Sequence, residues 1–133
     1  MRHSEDGEQK LLFEWAAYNP KLKWMFAIPN GGNRNAMEAK RLKAGGVKAG
    51  VSDIFLPLPS LCRDDLSDIG RSSATGYHGM YIEMKRRKVD GKSRVSDKQH
   101  DFQEDMIWQG YKAVVCYGAD EAIEEITNYL KLC

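Results

Sequence analysis

Glu83 and Lys85 stand two residues apart in "MYIEMK". On a strand, alternate side chains project to the same side. The carboxylate and the ammonium therefore point together, with Tyr81 beside them and Ile82 and Met84 opposite. A half-exposed strand with a surface acid and base gives the same short E-x-K pattern. Asp53 shifts the balance. It ends "GVSD" and opens the apolar run "IFLPLP". A strand there, lying beside residues 79–85, brings Asp53 and Glu83 to one edge. Two close carboxylates repel, and one tends to hold a proton. A divalent cation relieves that repulsion, and oxygen donors with few histidines or cysteines favour Mg²⁺ or Mn²⁺ over zinc. A lysine at such a site can orient a water or stabilise charge growing on a phosphoryl oxygen.

Two more side chains fit this picture. Glu8 falls in the middle of the apolar face that Leu11, Leu12 and Trp15 form on a helix over 5–18. Burying a glutamate is costly without a partner, and a metal or the lysine of the site would supply one. The alternative is a frayed first turn that leaves Glu8 in water. Gln99 lines up with Phe102 and Met106 on the inward face of another helix, one turn from its start. It can bind a substrate phosphate or a metal-bound water, or equally cap a neighbouring backbone group. Other chemistries have less support. The chain has no GxxxxGK or GxGxxG phosphate loop, and His3, His78 and His100 form no HExxH. There is no GxSxG nucleophile elbow.

The elements that must hold these residues follow from periodicity and punctuation. Ser4 is the expected N-cap of the first helix, with Glu5 and Asp6 in its first turn. "WMFAIP" (24–29) predicts a strand and "NGGNRN" a tight turn. A short helix over 35–44 stops at Gly45 and Gly46. A strand starts near Asp53 and ends at Pro57 and Pro59. Residues 60–77 predict a long surface loop, expected to be mobile. After the strand at 79–85 and the basic stretch "RRKVDGKSRV", Ser96 caps a helix over 97–109. "YKAVVCY" (111–117) is apolar on both faces and predicts a central strand. A last helix over 119–131 buries Ala122, Ile123, Ile126, Tyr129 and Leu130. Trp24 and Tyr81 are expected in the core or on the sheet surface. The order predicts a mixed α/β layer fold, with a sheet of about four strands flanked by helices.

Length and composition set bounds. A chain of 133 residues suits one domain with one core. Hydrophobic residues at 42% and charged residues at 29% describe an ordinary globular chain. No apolar run approaches the roughly 20 residues of a membrane helix. "MRHSEDGEQK" is too polar for a secretory signal, so an intracellular location without membrane association is expected. Cys62, Cys116 and Cys133 show no CxxC spacing, which argues against a disulfide framework and a zinc knuckle. Cys116 is most simply a small core residue. The net charge of +1 hides an uneven distribution. Lys85, Arg86, Arg87, Lys88, Lys92 and Arg94 face only Asp90, and Arg34, Lys40, Arg41, Lys43 and Lys48 face only Glu38. Either cluster is a nucleic-acid face or a solvated loop.

Glu8, "NGGNR" (30–34), "GVSD" (50–53), "IEMK" (82–85) and "QHDF" (99–102), in this order, resemble the VRR-NUC family. This is the virus-type replication-repair branch of the PD-(D/E)xK nucleases, and the resemblance spans nearly the whole chain. Ser52 departs from the proline that the superfamily name expects before the aspartate. The resemblance implies a restriction-endonuclease-like core, a single nuclease domain over 1–133 with 60–77 as an insertion, and hydrolysis of phosphodiester bonds in DNA with Mg²⁺ or Mn²⁺. By position, Asp53 and Glu83 are implied as metal ligands, with the backbone carbonyl of Met84 as another. Lys85 is implied to position or activate the attacking water. Glu8 is implied to bind metal directly or through water, and Gln99 to support the site. Small relatives of this kind resemble homodimers that act on branched DNA such as four-way junctions, in replication, recombination or repair, in the cytoplasm of a bacterium or a phage-infected host cell. Arg34, Lys40, Arg41, Lys43, Arg86, Arg87, Lys88 and Lys92 would then contact backbone phosphates. The rival readings are a DNA-holding module that does not cut, a duplex- or RNA-directed nuclease of the same fold, and an assembly protein whose acidic helices dock a partner.

Overall fold

In the computed structural model, which describes residues 4–29, 35–60, 76–91 and 93–132, the chain enters its first helix at Ser4. The Ser4 backbone is extended and its hydroxyl accepts the Gly7 N–H at 3.0 Å, which starts α1 (Glu5–Ala16). Glu8, Leu12 and Ala16, four apart, form its buried stripe. The helix stops two residues short of the expected 18. Asn19 then caps a 3₁₀ turn (Pro20–Leu22) that carries Leu22 into the core.

Only Phe26 and Ala27 of the predicted 24–29 strand pair, forming β1 (Phe26–Ala27). Trp24 is not in the core or on the sheet. It is 72% exposed in the preceding turn, beneath the Lys23 ammonium. Asn35 caps α2 (Ala36–Ala44) through the Glu38 N–H at 2.7 Å, and no residue of α2 is buried. Then come β2 (Ile54–Leu56), β3 (Met80–Lys85), a 3₁₀ turn (Lys88–Asp90), α3 (Asp97–Trp108), β4 (Lys112–Tyr117) and α4 (Ala119–Leu130). The strand order is β1-β2-β3-β4, antiparallel except for the parallel β3–β4 pair.

The sheet's two faces have separate jobs. Ile54, Leu56, Met80, Ile82, Met84 and Cys116 turn one way, onto Leu12 and Ala16 of α1 and Ala122, Ile126 and Tyr129 of α4. Phe55 and Tyr81 turn the other way, their rings 4.5 Å apart, and Phe102 of α3 meets Tyr81 edge-on at 5.1 Å. The expectation that residues 111–117 form a central strand is corrected: among the described strands, β4 lies at the sheet edge. Helices cover it instead, since both α3 and α4 pack on β4, and Gln103 donates to its Val114 carbonyl at 2.9 Å. Of the loop expected at 60–77, only the neck is described. There the Ser60 N–H donates to the Tyr77 carbonyl and the Tyr77 N–H to the Ser60 hydroxyl, each at 2.9 Å. No described helix is long and apolar enough to cross a membrane.

Candidate active site

The antiparallel pairing of Ile54 with Ile82 places Asp53, one residue before β2, at the level of Glu83 and Met84. The Asp53 Oδ2 accepts the Met84 N–H at 2.8 Å, and its carbonyl accepts the Ile28 N–H at 2.7 Å. A strand residue sends its N–H and C=O toward the same neighbour, so the Met84 carbonyl lies on the Asp53 side, past the start of β2. Gly50 fixes the approach to Asp53. It has φ +91°, and a Cβ there would lie 2.5 Å from the Lys98 carbonyl oxygen. Only glycine lets the "GVSD" turn press against the first turn of α3.

The aromatic contact sets the register of α3 over the sheet. Phe102 sits on Tyr81, and one turn earlier Gln99 meets Glu83, two residues further along β3. The Gln99 Nε2 donates to the Glu83 Oε1 at 2.6 Å, and its Oε1 accepts the Lys85 Nζ at 3.2 Å. The same Oε1 accepts the Ser96 N–H at 2.9 Å, closing a capping box with the Ser96 hydroxyl. The backbone-cap alternative for Gln99 is realised, and its amide in addition joins Glu83 to Lys85. Lys85 Nζ lies 3.8 Å from Glu83 Oε1.

Glu83 is 3% exposed and Lys85 6%. The Glu83 Oε2 is buried without a hydrogen-bond partner. Burial, and then the Asp53 charge, push the Glu83 carboxyl up to about 8, against the pull of Lys85. Burial also raises Asp53, opposed by the Met84 N–H and Lys85. The two carboxyls act on each other, and of the two Glu83 is pushed further toward its protonated form. Among the described residues, no three His, Cys, Asp or Glu side chains gather closely enough to hold a metal by themselves. Two carboxylates and the Met84 carbonyl on the same side nevertheless suit Mg²⁺, which keeps several waters and takes the rest of its shell from substrate phosphate.

Glu8 and Glu5 divide α1 in a way the sequence did not reveal. Glu8 is buried, and its Oε1 accepts the Ala119 N–H at 3.3 Å and lies 4.0 Å from Arg87 Nε. Glu5, which as a first-turn acid already has an ordinary explanation, is the one whose carboxyl faces Asp53 and Lys85 electrostatically. Its carboxyl is raised by burial, and it feels Lys85 and Asp53. Of the basic residues, Lys40, Arg41, Lys43 and Lys88 are exposed and Arg86 partly so. Arg86 is tied to the Gly91 carbonyl and Arg87 to Asp90. Arg34 and Lys92 lie outside the described residues, as does the "NGGNR" turn.

A search of curated proteins returned no match. A solved structure titled "VRR_NUC domain protein" superposes with a TM-score of 0.72 at 28% identity, covering 100% of this chain and 93% of that one. The family model of the VRR-NUC domain matches residues 4–120, from the cap of α1 through the Asp53, Glu83, Lys85 and Gln99 constellation to the start of α4. The chain belongs to the VRR-NUC family of nucleases.

Proposed function

We propose that this protein is a Mg²⁺- or Mn²⁺-dependent endonuclease that hydrolyses phosphodiester bonds in DNA, selective for branched structures such as four-way junctions, and acts as a homodimer. One observation carries the reading: the buried Glu83 carboxylate, with an oxygen left without a hydrogen-bond donor, stands beside the half-buried Asp53 and a lysine held by Gln99. Burying such a pair without a cation opposes folding, so the arrangement makes sense as a receptor for one.

Asp53, Glu83 and the Met84 carbonyl would hold the ion. When bound, a divalent cation supplies Lewis-acid stabilisation of charge on the phosphoryl oxygens. Lys85 orients the attacking water and offsets developing negative charge. Gln99 keeps Lys85 and Glu83 in fixed relation through its two hydrogen bonds. Glu5 adds negative potential at the mouth of the site. Lys40, Arg41, Lys43, Arg86 and Lys88 are described cations that would reach backbone phosphates, which give affinity without sequence preference. A C₂ dimer would place two such sites on a symmetric junction.

The deciding experiment is cleavage of a labelled four-way junction beside a matched linear duplex, with Mg²⁺, Mn²⁺ or EDTA, using wild type and Glu83→Ala. Metal-dependent cutting that the substitution abolishes is the expected result, with the junction cut faster than the duplex. Binding without cutting under any metal would overturn the nuclease reading in favour of a DNA-holding module. Light scattering on the protein–DNA complex tests the dimer.

A further inference from the structure

A second cluster of charge, two buried carboxylates around an arginine whose side chain is 36% exposed, joins three elements next to β3. Glu8 of α1 is 3% exposed and Asp90 of the 3₁₀ turn 6%. Between them lies Arg87. Its Nε and one terminal nitrogen donate to the two Asp90 oxygens at 2.7 and 3.2 Å, a bidentate pair, while Nε lies 4.0 Å from the Glu8 Oε1. The Glu8 oxygen also accepts the Ala119 N–H at the start of α4. The N-cap of that helix, Gly118, has no side chain to do so. Gly118 has φ +95°, and a Cβ there would lie 2.7 Å from Arg87 Cγ and 2.9 Å from Glu8 Oε1. The junction of β4 and α4 is therefore moulded around both side chains. The Gly118 N–H in turn donates to the Lys85 carbonyl at 2.9 Å.

We propose that Glu8, Arg87 and Asp90 form an ionic clamp that positions Lys85, and that Arg87 serves this clamp in place of a DNA phosphate. The backbone of Lys85 is fixed by Gly118, its side chain by Gln99, and the chain two residues on by Arg87. An arginine that reads phosphate must turn its N–H edge outward, whereas two nitrogens of Arg87 are committed to Asp90. Without Arg87, two buried carboxylates lose their shared countercharge, and the exit of β3 is free to shift. A displacement of about 1 Å in a catalytic group can cost two orders of magnitude in rate. The inference rests on the nuclease reading, since it assigns Lys85 a task to be positioned for.

The test uses the full chain with Arg87→Gln, Arg87→Lys, Glu8→Gln, the double variant Glu8→Gln/Arg87→Gln, and Lys43→Ala. Junction binding is measured against salt in EDTA, and cleavage with Mg²⁺ at a temperature where circular dichroism shows each variant folded. The clamp requires that Arg87→Gln keep the wild-type salt slope, lower kcat about tenfold or more, and leave KM within about twofold. Arg87→Lys keeps the charge and should recover part of kcat, and it serves as the variant measured if Arg87→Gln does not fold. The double variant should be no slower than the worse single one, because both break one unit. A salt slope reduced by about one in Arg87→Gln, the signature of a lost phosphate contact, would overturn the inference. So would an undiminished kcat in either folded variant. Absence of wild-type cleavage would instead defeat the nuclease reading itself.

Discussion

Glu83 carries the sharpest physical prediction at the scale of the residue. Its folded carboxyl titrates at about 8, against about 4.3 for a free glutamate. Between those values the folded chain holds a proton that the unfolded chain has released, so stability falls as pH rises. The contribution is fully present below the unfolded value and lost once pH passes the folded one. In EDTA the melting temperature should therefore drop between about pH 5 and pH 8.5, and Glu83→Gln should drop less over the same range. Added Mg²⁺ should raise the wild-type melting temperature most at the alkaline end, where no proton competes with the ion. Equal pH slopes in wild type and Glu83→Gln would place the titrating group elsewhere. Asp53, Glu83 and Lys85 were legible in the sequence because charge in or beside apolar runs is costly and so calls for an explanation, and Gln99 because it shares a helix face with Phe102 and Met106. Glu8 was recognised as a misfit on its helix face, but its contact with Ala119 lies 111 residues away and no local pattern encodes it. Glu5 was hidden by its own good fit to a helix start.

Among the elements, α3 links fold to site most directly. Ser96 and Gln99 form its capping box, and Gln99 also holds Glu83 and Lys85. These tasks separate by mutation. Ser96→Ala removes one cap and should cost about 1 kcal/mol in urea denaturation, with cleavage by the folded protein close to wild type. Gln99→Leu should cost similar stability or more, and in addition slow cleavage severely, since Glu83 and Lys85 both lose a buried partner. Equal loss of activity in the two variants would mean that the helix start as a whole, and not the Gln99 amide, supports the site. The helices and β3 were legible because their caps and periods agree. The position of β4 was not. Apolar residues on both sides of "YKAVVCY" suggest a central strand, but α3 and α4 cover both faces of an edge strand and produce the same pattern. β1 was overextended because "WMFAIP" has strand composition, while only Phe26 and Ala27 find partners on β2.

For the whole molecule, the question is how a chain with a net charge of +1 can hold DNA. Its cations are segregated, and the clearest group is on α2. Lys40, Arg41 and Lys43 are exposed, and no residue of that helix is buried. Such a helix adds little to the core, so its charges are free to serve a ligand. Each lysine or arginine that neutralises a phosphate releases a condensed counterion, which adds about 0.9 to the slope of log affinity against log salt on duplex DNA. Replacing Lys40, Arg41 and Lys43 by alanine should therefore flatten that slope by up to about three, measured by fluorescence anisotropy from about 50 to about 300 mM salt in EDTA. Alanine is the best helix former, so the melting temperature should hold or rise slightly, which separates lost contacts from lost structure. The effect should be uniform across DNA sequences, because phosphate contacts carry no base information. An unchanged slope in the folded triple variant would move the DNA-binding face away from α2, leaving Arg86 and Lys88 beside the catalytic strand as the described cations to test next.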